Sequence, residues 1–266
     1  IEAELLAVEE LNREGGILGR RIEPVVADSA SSTDTAAKKA AQLIEKDKVR
    51  AVVGCWTSAC RKSVRPIIEK RDSLLIYPMA YEGIESSPNI IYTGAAPNQQ
   101  ILPAVNWAFE NLGTRFYLIG SDYIWPHTVN AIIEDQIRAL GGTIAGTSYL
   151  PFGSLEAGSA VARILESKPD VILSTVVGNS NAPLYRALRE AGITARQIPV
   201  ISFSIAETEI QELPVSDITG HYAAWGYFES INRASNLAFI ERFRHRYGEG
   251  RAISDVMETA YFSVML

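Results

Sequence analysis

The sequence predicts an α/β fold built on parallel sheets, arranged as two doubly wound lobes joined by hinge strands. Three observations carry this expectation. Apolar runs of strand length alternate with helical patterns along almost the whole chain, the arrangement that places helices on both faces of a parallel sheet. Several helical patterns stop at glycine, as at Gly15-Gly16, Gly113, Gly141-Gly142 and Gly192, where a left-handed residue closes a helix. The chain has 266 residues, 47% of them hydrophobic and 21% charged, which is core enough for one large domain or two smaller ones.

Taken in order, residues 1–13 read as an amphipathic helix with Leu5, Val8 and Leu11 on one face. A strand is expected at 22–27 and a helix at 35–46. The run RAVVG at 50–54 reads as a strand, and 58–70 as a helix with Val64, Ile67 and Ile68 inward. Strands follow at 74–77 and 90–93, then a helix at 99–111 and a strand at 116–120. Proline at 126 suits a first helical turn, opening a helix over 126–140. The pattern continues as strand 143–149, helix 156–167, strand 171–177, helix 182–191 and strands 199–202 and 221–225, before helices at 234–247 and 255–266. The repetition divides the chain into a first lobe, residues 1–119 plus 229–266, and a second, residues 120–228. No linker rich in Pro, Ser or Gly separates them. This predicts hinge strands and a cleft of the kind that closes around ligands.

Bulk properties exclude several function classes. The net charge is −6 with a pI near 5.3, and no basic block occurs, so nucleic acid is not an expected partner. No apolar run approaches the roughly 20 residues that span a bilayer, so no membrane insertion of this segment is expected. Two cysteines, Cys55 and Cys60, are too few for a disulfide scaffold, and C-x4-C alone is no zinc site. They are read as two small core residues, with a local disulfide as the alternative in an exported protein. No G-x-S-x-G, H-E-x-x-H or P-loop motif is present. Gly15-Gly16-Ile17-Leu18-Gly19 follows a helix and reads as a turn. His127, His221 and His245 are scattered, and His127 is read as solvated on a first helical turn. Glu82 and Glu207 have acid–base potential but read as solvated loop residues. Arg61 and Lys62 sit on a first helical turn, where the macrodipole disfavours cations, and are assigned a surface role. No cofactor, no metal and no enzymatic activity are expected.

The informative residues lie where strands empty into loops. One strand ends in Cys55-Trp56-Thr57-Ser58 and the next in Tyr77-Pro78-Met79-Ala80-Tyr81-Glu82-Gly83. Further on come Gly120-Ser121-Asp122-Tyr123-Ile124-Trp125-Pro126, Ser174-Thr175-Val176-Val177-Gly178 and Ser202-Phe203-Ser204-Ile205-Ala206. Open α/β sheets bind ligands outside the carboxyl ends of their strands. Singly, each loop is more often a helix cap. Together they collect hydroxyls and aromatic rings that grip a small polar molecule without a catalytic group.

These residues, with Gly54, Arg61-Lys62, the run Ser87-Pro88-Asn89 through Gly94-Ala95-Ala96-Pro97-Asn98-Gln99 and the opening Leu11-Asn12…Gly15-Gly16, resemble the type I periplasmic binding proteins. Specifically, they resemble the branch that binds urea and short-chain amides, which includes substrate-binding proteins of ABC transporters and is similar to the amide sensor of an amidase operon. The resemblance covers essentially the whole chain and implies a first strand before Ile1 and further segments after Leu266. It implies that Trp56, Ser58, Tyr77, Tyr123 and Trp125 line an amide pocket, in a ligand-binding set completed by Thr57, Met79, Ala80, Thr175 and Ile205. Trp56 and Trp125 replace smaller aromatics, and Met79 replaces a threonine.

Urea and acetamide are planar and neutral, so hydroxyls such as those of Ser58 and Tyr123 serve both their carbonyl and their N–H groups. The expected function is capture of urea or a short-chain amide in the cleft and delivery to an ABC permease, in the periplasm or outside the cell. The alternatives are a ligand-sensing regulator with a signalling partner, cytoplasmic in that case, and branched-chain amino-acid binding. An amide-cleaving enzyme would need a nucleophile paired with a base, which this sequence does not show.

Overall fold

The computed structural model describes all residues 1–266. The chain forms two compact units, residues 1–95 with 227–266, and residues 96–226. Every strand pairing is parallel, as the strand–helix alternation requires.

The first unit contains α1 (Glu2–Arg13), α2 (Thr33–Glu45), β1 (Val52–Val53), α3 (Ser58–Lys70), β2 (Leu75–Tyr77) and β3 (Ile90–Tyr92). Its sheet has the order β1-β2-β3. Val64, Ile68, Leu75, Tyr77 and Ile90 form one core with Ala36 and Ala40 of α2. The segment expected as a strand at 22–27 is irregular. It carries the apolar pattern of a strand but has no neighbouring strand to ladder with, and a strand exists only through its partner.

The second unit contains α4 (Ile101–Asn111), β4 (Arg115–Ser121), α5 (Ile124–Ala139), β5 (Thr143–Leu150), α6 (Gly158–Ser167), β6 (Val171–Thr175), α7 (Asn181–Glu190), β7 (Val200–Ser202), the one-turn helices α8 (Glu207–Ile210) and α9 (Val215–Ile218), and β8 (Tyr222–Ala223). The sheet order is β5-β4-β6-β7-β8. β4 is buried on both faces and divides its side chains by the period-two rule. Phe116 and Leu118 pack with Ile101, Val105, Val129 and Ile133. Tyr117 and Ile119 pack on the other face with Ile164, Leu184 and Leu188. Because α4 shares a core with β4 and α5, the unit begins at Ala96 and not at residue 120 as the sequence reading had it. The chain then returns to the first unit as α10 (Ala234–Tyr247) and α11 (Asp255–Met265), where Phe239, Phe243 and Ile253 pack on Ala3 and Leu6 of α1. No helix is long and apolar enough to cross a membrane.

Candidate functional site

In the first unit the chain leaves β1 through Gly54 and Cys55, both at positive φ, +135° and +69°. The first value suits glycine and the second is uncommon for any other residue. Cys55 is joined to Cys60 by a disulfide with the Cα atoms 5.6 Å apart. The two cysteines are therefore not the separate packed thiols favoured by the sequence reading. The C-x4-C spacing carries the chain from the strand end into the first turn of α3 and returns the second sulfur beside the first. Inside this ring Thr57 is the N-cap of α3, its Oγ1 accepting from the Cys60 amide at 3.1 Å. Trp56 points to solvent, 61% exposed, whereas Ser58 is buried.

Arg61 lies one turn further along α3 and is fully buried. The surface role assigned to it, and the solvated role assigned to Glu82, are both overturned. Its Nη2 donates to Glu82 Oε2 at 2.8 Å, its Nε to Glu85 Oε1 at 2.9 Å and its Nη1 to Ser58 Oγ at 3.1 Å. The guanidinium carbon stands 4.8 Å from the centre of the Tyr77 ring, a cation–π distance. Tyr81 and Tyr92 stack on one another at 4.5 Å beside it, and Tyr92 donates to Glu85 at 2.8 Å. Burial alone would pull the arginine pKa down, but its acidic partners outweigh that and raise it. Burial alone would raise the Glu85 carboxyl, yet hydrogen bonds from Arg61, Tyr92 and Lys62 bring it down to about 2. Burial pushes the Tyr77 phenol up to about 12, against the pull of Arg61. Glu82 Oε1 is buried without a hydrogen-bond partner.

The β2 exit is fixed by β3. The Thr93 amide and Oγ1 both donate to the Tyr77 carbonyl, and the Tyr81 amide donates to the Ala95 carbonyl at 3.1 Å. Met79 and Ala80 are half-buried, and a Cβ at Gly94 would overlap the Met79 carbonyl group. Ser58, Tyr77, Tyr81 and Glu82 are thus held together around Arg61, while Trp56 and Thr57 stand on its outer side.

In the second unit the expected residues again sit at strand carboxyl ends. Ser121 closes β4 and its Oγ accepts from the Val177 amide at 3.0 Å. Tyr123 is half-buried, with Phe152 edge-on at 5.2 Å. Trp125 is buried in the core on the first turn of α5, its Nε1 without a partner. His127 is not simply solvated: it pairs with Asp122 at 2.7 Å and stacks on Tyr149 at 3.8 Å. Thr175 is fully buried, donating to Asn130 Oδ1 at 3.1 Å. Ile205 is buried, its amide donating to Ser202 Oγ and its carbonyl accepting from Trp225 Nε1. His221 is half-buried, its Nδ1 accepting from the Val200 amide at 3.0 Å, and burial lowers its pKa.

A separate cavity of about 830 Å³ lies in the first unit, against Leu5, Val8, Asn12, Ile22, Pro24 and Tyr247, and contains none of the expected ligand residues. No cluster of three or more His, Cys, Asp or Glu could hold a metal ion.

The geometry gives hydroxyls, aromatic faces and a buried, hydrogen-bonded ion cluster at strand ends. The sequence profile of the periplasmic binding protein domain matches residues 1–266. The chain belongs to that family. The binding-protein fold is also seen in solved structures. A solute-binding protein of an ABC transporter from R. palustris, in complex with 4-hydroxybenzoate, superposes with a TM-score of 0.89 at 20% identity, over 99% of this chain and 73% of that one. The branched-chain amino acid transporter substrate-binding protein of Streptococcus pneumoniae, in complex with isoleucine, gives 0.88 at 23% identity, over 99% and 76%. An amino acid binding protein of Pseudomonas aeruginosa is 26% identical over 202 residues, covering 71% of this chain and 52% of its own. A Leu/Ile/Val-binding protein of Rhizobium johnstonii is 24% identical over 170 residues, covering 62% and 46%. The chain thus spans about half the length of these curated relatives.

Sequence reasoning had missed Arg61, Glu85 and Tyr92 as a unit. The available signal was a cation on a helical first turn, where it is disfavoured, followed by two glutamates in the loop after the next strand.

Proposed function

We propose that this domain binds a small neutral amide, such as urea or a short-chain aliphatic amide, and passes it to an ABC permease from the periplasm or the cell exterior. The state of Arg61 carries the reading. It is the only buried arginine or lysine of the chain, and each of its three nitrogens is already bonded to Glu82, Glu85 or Ser58. The loops Ser121–Pro126, Ser174–Asn181 and Ser202–Glu207 contain no arginine or lysine. A ligand carboxylate would find no free cation there, and a buried charge without a partner is costly. A neutral amide needs only donors and acceptors. Within the first unit Ser58, Tyr77 and Thr57 are proposed to supply them, and within the second unit Tyr123 and Thr175. Trp56, Met79 and Ala80 in the first unit, and Trp125 and Ile205 in the second, are each proposed as apolar ligand contacts. The domain is read as a carrier and not as an enzyme.

Amino-acid binding is the second reading, favoured by the names of the two curated relatives. A thermal-shift panel of urea, acetamide, propionamide, leucine and isoleucine separates the two, because a ligand that binds only the folded state raises its melting temperature. Stabilisation by the amides is the expected result. Stabilisation by the amino acids alone would replace the first reading with the second.

A further inference from the structure

We propose that Glu82 and Glu85 make this domain selective for uncharged solutes by keeping Arg61 from serving a ligand carboxylate. The inference rests on the reading of Ser58 as a ligand contact.

Arg61 reaches the ligand loop through one bond, from its Nη1 to Ser58 Oγ at 3.1 Å. A guanidinium has donors only. Ser58 must therefore accept from it, and the serine keeps its own proton to donate to a ligand carbonyl. That proton is the donor this reading assigns to Ser58.

The charge around it is set by the two glutamates. Glu82 faces Nη2 and Glu85 faces Nε, their side chains 2% and 7% exposed. One cation and two carboxylates leave this buried cluster one negative charge in excess. Lys62 and Arg65 offset Glu85 from the more exposed side, at 3.3 and 3.6 Å. A carboxylate brought to Ser58 approaches a guanidinium whose Nε, Nη1 and Nη2 each already donate, in a cluster that holds two buried carboxylates. An amide brought to the same place meets no like charge and offers N–H groups.

The test compares two molecules of one shape. Acetamide and acetate are titrated calorimetrically into the wild type and into Glu82→Gln, whose side-chain carbonyl still accepts from Nη2. Wild type should prefer acetamide. The variant should shift the ratio of acetate to acetamide affinity by roughly tenfold or more, because one carboxylate charge has been removed from a site of low dielectric. A purely structural role would weaken both ligands together, so an unchanged ratio in a folded variant overturns the proposal. If Glu82→Gln does not fold, Glu85→Gln removes the other charge and is read the same way. If the wild type binds neither small molecule, the amide reading fails by itself. The charge inference is then decided by the same ratio with 4-hydroxybenzoate and 4-hydroxybenzamide, and absence of binding to that pair too would overturn it.

Discussion

The Nη2 atom of Arg61 donates to Glu82 Oε2 across 2.8 Å, and both side chains are closed off from solvent. Removing one partner of a buried ion pair strands the other, which costs about 3–5 kcal/mol. Arg61→Ala should lose stability on that scale, since it strands two carboxylates, whereas Glu82→Gln keeps a hydrogen bond and should lose less. Unfolding in guanidinium chloride measures both, and avoids urea, itself a proposed ligand. Equal and small losses would mean that the cluster contributes little to the fold.

Acid should weaken the same cluster through Glu85. Its folded-state pKa, about 2, lies below the usual carboxylate value of 4.5. A depressed pKa contributes stability that is complete above the unfolded value and is lost as pH falls towards the folded one. Stability should therefore decline between about pH 4.5 and 2, and Glu85→Gln should flatten that part of the curve. Thermal melts of both proteins across this range supply the comparison, and parallel curves would show that Glu85 is not the titrating group.

The Cys55–Cys60 disulfide closes a short ring with a sequence separation of 5. Chain-entropy arguments give a ring of this size about 2 kcal/mol. Reduction should lower the melting temperature accordingly, and should weaken ligand binding because the ring holds Ser58. Mass spectrometry after alkylation, before and after reduction, establishes the bond. Two alkylated thiols in the unreduced protein would contradict it.

Gly94 allows β3 to run against the β2 exit. Alanine there would drive its Cβ into the Met79 carbonyl group, and backbone gives way less readily than a flexible side chain. Gly94→Ala should therefore destabilise the first unit and disturb the Tyr77–Glu82 loop. A crystal structure of the variant with an unmoved Met79 would count against this account of the loop.

Much of the fold was legible because burial on both sheet faces writes continuous apolar runs. The β4 segment from Phe116 to Gly120 was readable in this way, and the α3 segment Ser58–Lys70 by its helical spacing of Val64, Ile67 and Ile68. Residues 22–27 misled because their apolar pattern is neither buried nor paired: Val25 and Val26 are 47% and 59% exposed, and no strand lies beside them. The unit boundary was misplaced because the face on which α4 packs is set by tertiary contacts of Ile101 and Val105 with Phe116. At the site, the loop chemistry was readable but the ion cluster was not. Arg61 meets Glu82 and Glu85 at separations of 21 and 24 residues, too far for any local rule.

The most direct test of the central claim is titration calorimetry of urea, acetamide and leucine into the wild type and Tyr123→Phe. Removing one hydrogen bond to a buried ligand group costs about 1–3 kcal/mol, or roughly ten- to a hundredfold in affinity. The account predicts amide binding by the wild type, a loss of that order in Tyr123→Phe with an unchanged fold, and no heat from leucine. Tight leucine binding with no response to either amide would contradict it.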